Sequence, residues 1–254
     1  MIYVKDDRNP HWYERETGNP CHLIPKKNGD GMKAPNKNDA KELGLVPSVT
    51  TILGIIAKPA LEIWKIKKAI TACIEHPQVE SELDQDYVNR IVELARQEGK
   101  DAADKGSAIH EALSEWITDG VLTHDYTRHI EAFNAWNDAY VDTVESEKPF
   151  ATNTYGGTID LCGNLKDGKF FVADFKSQVK KNGKFVYRPD FILQLAGYGF
   201  ALFAEEFKAF SILFDRDSGE MEVYEYTWDE ICEAWVQFQN ALGLWCYYKG
   251  ISND

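Results

Sequence analysis

Hydrophobic and polar positions change their period once along this chain, from helical to extended, and strands and helices then alternate. Residues 1–46 are rich in Asn, Lys, Gly and Pro with little periodicity, and predict irregular loops with room for one short strand or hairpin. Pro47-Ser48-Val49-Thr50-Thr51 opens helical material, with Ser48 or Thr50 in the capping place. Leu61, Trp64, Lys65, Lys68 and Ala69 trace a helix after Pro59, and Val88, Ile91, Val92 and Ala95 trace a second that ends at Gly99. Ala102 to Thr118 is a third, stopped at Gly120, and Ile130, Phe133, Trp136, Tyr140 and Val144 give a fourth at 3–4 spacing. The period then becomes extended. Pro149–Thr154, Gly157–Leu165 and Lys169–Ser177 predict strands, the last two forming a hairpin around Lys166-Asp167-Gly168. Pro189 opens a helix to about Ala204, at the position where proline costs least. Ala209–Phe214 and Glu220–Tyr226 are strands about Asp217-Ser218-Gly219, and Trp228–Lys249 is a closing helix. This order predicts one α/β domain over residues 1–254: a mixed central sheet flanked by helices at 125–254, preceded by an N-terminal helical cap at 47–120.

Composition removes several classes. With 44% hydrophobic and 27% charged residues the chain is an ordinary globular protein, and no window holds the ~18 consecutive apolar residues of a membrane span. Met1-Ile2-Tyr3-Val4-Lys5-Asp6-Asp7 lacks an apolar signal core, so a cytoplasmic protein is expected, in a host cytoplasm if the source is viral. Cys21, Cys73, Cys162, Cys232 and Cys246 are scattered, odd in number and without a CxxC pair, which favours reduced thiols over a zinc or iron–sulfur site. A net charge of -13 argues against a protein that coats nucleic acid by charge alone. The basic residues are nevertheless clustered. Lys58, Lys65, Lys67 and Lys68 share one predicted helix, and Lys176, Lys180, Lys181, Lys184 and Arg188 share a run with no acid between Ser177 and Pro189. A charge run is most often a solvated face, so position decides its meaning.

The chemistry gathers at Gly156-Gly157-Thr158-Ile159-Asp160 and Val172-Ala173-Asp174-Phe175-Lys176-Ser177. Residues two apart on a strand share a face, so Asp174 and Lys176 project together. A three-residue turn with Gly168 left-handed pairs Leu165 with Lys169, and counting back sets Asp160 opposite Asp174, roughly 5 Å apart at Cβ. A two-residue Asp-Gly turn puts the two acids on opposite faces instead. A bare Asp-x-Lys is commonly two surface side chains, but Phe171-Val172-Ala173 and Ile159 with Leu161 embed both acids in apolar strands. Buried carboxylates so close require a partner, and a cation supplies one.

Other candidates are weaker. His110 borders the face of Gly106, Leu113 and Trp116-Ile117, although a helical histidine is commonly structural. His110-Glu111 resembles the start of a zinc-protease motif, but Ser114 stands in place of the second histidine. Gly163 to Lys169 has P-loop spacing, but Phe170 replaces the hydroxyl residue and the glycines lie in a hairpin. Glu145 is either an outer acid of the site or a helix-end glutamate. Trp235, Trp245, Tyr247 and Tyr248 of the last helix are expected in the core rather than as base-stacking platforms.

Taken in order, Gly157-x-x-Asp160, Asp174-x-Lys176 and Gln194-x-x-x-Tyr198 resemble the PD-(D/E)XK nuclease superfamily in its RecB-like branch. Gly106-Ser107-Ala108-Ile109-His110 resembles that branch's Gly-(Ser/Thr)-x-x-His helix, and Pro47 to Leu53 resembles the opening of phage-type exonucleases. The match runs over residues 47–215, with Asp174 where many members carry Glu and without the cysteine pattern of the iron–sulfur members. The resemblance implies a restriction-endonuclease-like core and a metal-dependent DNA exonuclease of phage DNA degradation or recombination, with an endonuclease or a silent DNA-binding fold as alternatives. It implies that Asp160, Asp174 and the backbone carbonyl of Phe175 bind Mg²⁺, with Mn²⁺ substituting and His110 adding a ligand. It further implies that Lys176 orients or helps deprotonate the attacking water, and that Gln194 and Tyr198 brace the site or touch the scissile strand. Ser107 and the clustered Lys65, Lys68, Lys180, Lys181, Lys184 and Arg188 are expected to face DNA, with a single-strand-binding or annealing protein as a compatible partner and no membrane.

Overall fold

The computed structural model describes residues 11–27 and 29–251, so the charged start at Met1–Asp7 lies outside the described residues. The first stretch is more ordered than its composition suggests. Trp12–Glu14 (β1), Pro20–Cys21 (β2), Ile24–Pro25 (β3) and Met32–Lys33 (β4) are followed by Lys37–Leu43 (α1), Leu45–Pro47 (β5) and Val49–Leu53 (α2). β1 is flanked by β2 and β5, and β3 pairs with β4. Strands of two or three residues are too short to show a period, which is why the sequence predicts loops here. α1 is started by an Asn36–Asp39 capping box, and Ser48 caps α2 by accepting the Thr51 N–H at 3.0 Å.

The chain divides into two compact units: Ile56–Ala108, and residues 11–55 with 109–251. The helical material expected at 47–120 is thereby split, α2 and the residues from Ile109 onward belonging with the α/β elements. The helical unit holds Pro59–Glu75 (α3) and most of Asp84–Asp119 (α4). α4 runs on through Gly99, where the sequence predicts a stop. A glycine inside a helix costs about 1 kcal/mol without ending it, and a Cβ here would only touch the Trp64 ring, at 3.4 Å.

In the α/β unit, a short 3-10 turn at His124–Tyr126 leads into Thr127–Tyr140 (α5), followed by Val141–Ala151 (β6), Gly156–Leu165 (β7) and Phe170–Gln178 (β8). Pro189–Leu202 (α6), Lys208–Asp215 (β9), Met221–Tyr226 (β10) and Trp228–Lys249 (α7) complete it. The helical spacing in the sequence runs on to Val144, yet α5 stops at Tyr140 and β6 starts at once. Val141, Thr143 and Val144 are β-branched, and stiff at χ1 they favour the strand.

Five strands form a mixed sheet in the order β10-β9-β8-β7-β6. β6, β7 and β8 are an antiparallel meander, whereas β8 and β9 are parallel and joined through α6. Leu113, Ile130, Phe133 and Trp136 pack one face, against Leu161, Phe171, Ala173, Phe175, Phe210, Ile212 and Phe214. α6 lies on the face of Asp174, its Gln194 bonded to that residue. No helix among the described residues is long and apolar enough to cross a membrane. In α7, Trp245 is buried and Trp235 stacks on Phe200, as expected of core residues. Tyr247 and Tyr248 are not core: they are 81% and 73% exposed in the last turn.

The turn after β7 settles the register. Gly168 adopts φ 85°, Leu165 N–H donates to Lys169 O at 2.8 Å, and Gly168 N–H donates to Leu165 O at 2.9 Å. This is the three-residue turn with a left-handed glycine.

Candidate active site

The β7–β8 ladder pairs Asn164 with Phe170 and ends at Leu161 with Ala173. One step further in the same register brings Asp160 opposite Asp174, at the point where the ladder has stopped. A side chain takes over from the backbone there: Phe175 N–H donates to Asp160 Oδ2 at 2.8 Å. An extended residue directs its N–H and C=O to the same edge, so the Phe175 carbonyl also faces this gap.

Asp174 is 2% exposed. Its Oδ1 accepts from Gln194 Nε2 at 2.7 Å, while its buried Oδ2 meets the Lys176 ammonium as a charge contact that lacks hydrogen-bond geometry. Burial pushes the Asp174 carboxyl up to about 6, with the Asp160 carboxylate adding to the rise and the Lys176 ammonium opposing it. Lys176 Nζ also donates to Gln194 Oε1 at 3.1 Å, and Gln194 Nε2 to Tyr198 Oη at 2.8 Å. One amide thus ties acid, lysine and phenol together, because Gln194 and Tyr198 stand one turn apart on α6. Burial raises the Tyr198 phenol well above its ordinary value, and the Asp174 and Asp160 charges raise it further, so it stays protonated. Gly157 makes room for this ring: a Cβ there would lie 2.9 Å from Tyr198 and 3.0 Å from Phe150.

His110 reaches the same gap, its Nδ1 3.3 Å from Asp160 Oδ2 and its ring edge-on to Phe175 at 5.7 Å between centroids. The sequence-derived set Asp160, Asp174, Phe175, Lys176, Gln194, Tyr198 and His110 is therefore assembled in one place. Glu145 is not part of it. It lies within β6 rather than at a helix end, exposed and paired with Lys148 at 2.9 Å.

The sequence reading missed Glu147. Ser146 pairs with Leu161 and Lys148 with Ile159, so Glu147 lies opposite Asp160 on its far side from Asp174. Ser146 Oγ fastens the level by donating to Asp160 O at 3.0 Å. Glu147 holds φ 51°, unusual for a residue other than glycine. The residue is open to solvent, yet enough protein surrounds its carboxyl to raise its pKa, with the Asp160 charge adding to that effect. The signal was present, since a strand begun at Val141 carries Glu147 to this level; the overextended helix hid it.

The donor chemistry suits a hard divalent cation. Two carboxylates, a carbonyl edge and an imidazole face one gap, where the buried Asp174 Oδ2 is ion-paired with the Lys176 ammonium. Among the described residues no group of three or more His, Cys, Asp or Glu side chains is placed to hold a metal ion, and the Lys176 ammonium supplies the positive charge beside Asp174.

The basic residues are placed less uniformly. Lys180 pairs with Glu220 and its ammonium stands over Phe185 at 4.8 Å. Lys181 and Lys184 bridge each other's backbone with exposed side chains. Arg188 lies over Phe191 at 4.8 Å and 3.5 Å from Asp190. Lys65, Lys68 and Ser107 belong to the helical unit; Lys65 pairs with Glu62 at 2.8 Å, Lys68 lies over Trp64 at 5.8 Å and Ser107 is exposed.

No family model matches the chain, and no curated protein does. Among solved structures it is similar to one described as "Crystal structure of SSO0001", at 17% identity and a TM-score of 0.27, over 72% of this chain and 86% of that one. A likeness at that score carries no argument about fold or function.

Proposed function

We propose that this chain is a metal-dependent deoxyribonuclease of the PD-(D/E)XK type, acting from DNA ends. One observation carries the reading: the β7–β8 ladder stops where Asp160 and Asp174 face each other, with Lys176 on the strand beside them. Two acids at the end of a broken ladder can take up a cation, and a lysine two residues on supplies charge where a phosphodiester would lie.

In this reading Asp160, Asp174 and the Phe175 carbonyl hold Mg²⁺, with His110 beside Asp160. When bound, the cation lowers the pKa of a water and offsets charge on the attacked phosphate. Lys176 would orient the attacking water and balance a phosphate oxygen. Gln194 fixes Lys176 relative to Asp174, and Tyr198, kept neutral by burial, holds Gln194 in register. Action from ends, and a setting in phage DNA degradation or recombination, rest on the resemblance of the motifs.

The test is incubation with end-labelled linear DNA and with closed circular DNA, each with Mg²⁺ or EDTA. Mg²⁺-dependent release of nucleotides from linear DNA, with circles left intact, is the expected result. Cleavage of circles makes it an endonuclease of the same type. Binding without turnover in Mg²⁺ or Mn²⁺ reduces it to a silent DNA-binding fold.

A further inference from the structure

We propose that Tyr224, braced by Tyr187 beside the basic turn at Lys181–Lys184, is a stacking platform for a base of single-stranded DNA entering the site. The inference rests on the nuclease reading above and deepens it, by naming the strand form that the site takes. Sheet register places the platform. Side chains two apart on a strand share a face, and facing residues of a ladder project to the same side. Ser211 pairs with Asp174 on one side and with Tyr224 on the other, and Leu213 likewise with Lys176 and Glu222. Tyr224 therefore stands on the face of Asp174 and at its level, two strands or about 10 Å away. A line of rings runs between them. Tyr187, Tyr224 and Tyr226 follow one another at 4.8 Å between centroids, and the buried Tyr226 phenol meets the Ser211 hydroxyl at 3.0 Å. Tyr226 is closed to solvent, whereas Tyr224 is 39% exposed.

The segment beside this edge is fixed by hydrogen bonds. Asn182 and Gly183 hold left-handed backbone, φ 51° and 73°, and Lys181 and Lys184 exchange backbone hydrogen bonds at 2.9 and 3.1 Å, which closes a two-residue turn. The Gln178 side chain accepts from the Val186 N–H at 3.0 Å and donates to the Val186 carbonyl at 3.2 Å, and the Tyr187 phenol donates to Glu222 at 2.8 Å. Charge selects the occupant. The turn carries the exposed Lys181 and Lys184, the Glu222 carboxylate on the Tyr224 face is engaged by Tyr187, and Glu225 projects to the opposite face, where it pairs with Lys208. An exposed ring beside cations fits a polyanion whose base faces are uncovered, which a single strand offers and the stacked interior of a duplex does not.

The experiment is fluorescence anisotropy of the full chain in EDTA with three labelled probes: a short oligothymidylate, an abasic oligomer of the same length, and a duplex. Tyr224→Ala and Tyr224→Leu are each expected to weaken oligothymidylate binding roughly tenfold, while Tyr224→Phe, which keeps the ring, binds as the natural protein does. On the abasic oligomer and on the duplex all four proteins should bind alike, because neither offers a free base face. Unchanged oligothymidylate affinity in Tyr224→Ala and Tyr224→Leu overturns the platform. An equal loss on the abasic oligomer also overturns it, since the ring then supports the basic turn rather than a base. Both results leave the nuclease reading standing where the natural protein digests linear DNA in Mg²⁺. A natural protein that binds none of the probes and digests no DNA overturns both.

Discussion

Lys176 answers to two partners at once, the Asp174 carboxylate and the Gln194 amide, and this double hold fixes where its charge sits. Removing it leaves the fold but not that placement. Lys176→Ala and Asp174→Ala are each expected to lower DNA cleavage by on the order of 10²-fold or more, with the circular dichroism spectrum unchanged. Near-normal cleavage by a folded Lys176→Ala would remove the lysine from the mechanism. Asp160→Asn should behave alike, because an amide is a poor substitute for a carboxylate as a hard-cation ligand. His110 lies only 3.3 Å from Asp160, so His110→Ala should move the Mn²⁺ concentration giving half-maximal activity upward by about tenfold. If the histidine were structural, the thermal melt would drop and the Mn²⁺ curve would stay in place.

At the scale of elements, Asp215 shows how one carboxylate can organise two loops. Its Oδ1 accepts from the Ser218 N–H and hydroxyl, both at 2.9 Å, and its Oδ2 accepts from the Lys180 N–H at 3.1 Å, joining the β9–β10 turn to the segment after β8. Burial alone would raise its pKa, but these donors outweigh burial and bring it down to about 2. A depressed carboxylate stabilises the fold above its unfolded pKa near 4, and that contribution disappears as pH falls through 2. Asp215→Asn is therefore expected to cost about 1 kcal/mol at pH 7, with a gap in urea unfolding that narrows below pH 4. A pH-independent gap would mean that charge is not what holds the turn. The same scale explains what the sequence revealed. Alternation put Asp174 and Lys176 on one face, and the sequence allowed two turns between β7 and β8; the left-handed Gly168 turn is the one found, which sets Asp160 opposite Asp174. Glu147 was not legible, because the α5 pattern ran past Tyr140 into residues whose β-branching mattered more than their spacing. The short strands before Pro47 were invisible for a different reason: they owe their form to one another rather than to any local period.

Over the whole molecule, the net charge of -13 sets an opposing background for any anionic ligand. DNA binding must then depend on local cations, and their placement is unequal. Lys180 is engaged with Glu220, whereas Lys181 and Lys184 extend exposed side chains from the loop that follows β8. In an Asp174→Ala background, Lys181→Ser with Lys184→Ser should weaken binding to short DNA and flatten log affinity against log salt by about 0.7–0.9 per lysine. Adding Lys180→Ser should change the slope less, since its ammonium is already neutralised. An unchanged slope in the double variant would show that this loop is merely solvated.

The hydrogen bond from Phe175 N–H to Asp160 gives the protein a built-in gauge. Amides in the surrounding strands are shielded from solvent deuterium by backbone carbonyls, whose acceptor strength does not vary. The Phe175 amide is shielded by the Asp160 carboxylate, whose acceptor strength changes with anything that draws on its electrons. At constant pH its protection should change on adding Mn²⁺, while the protection at Val172 and Ala173 holds steady. A single peptide amide can therefore report the electronic state of the site without any substrate.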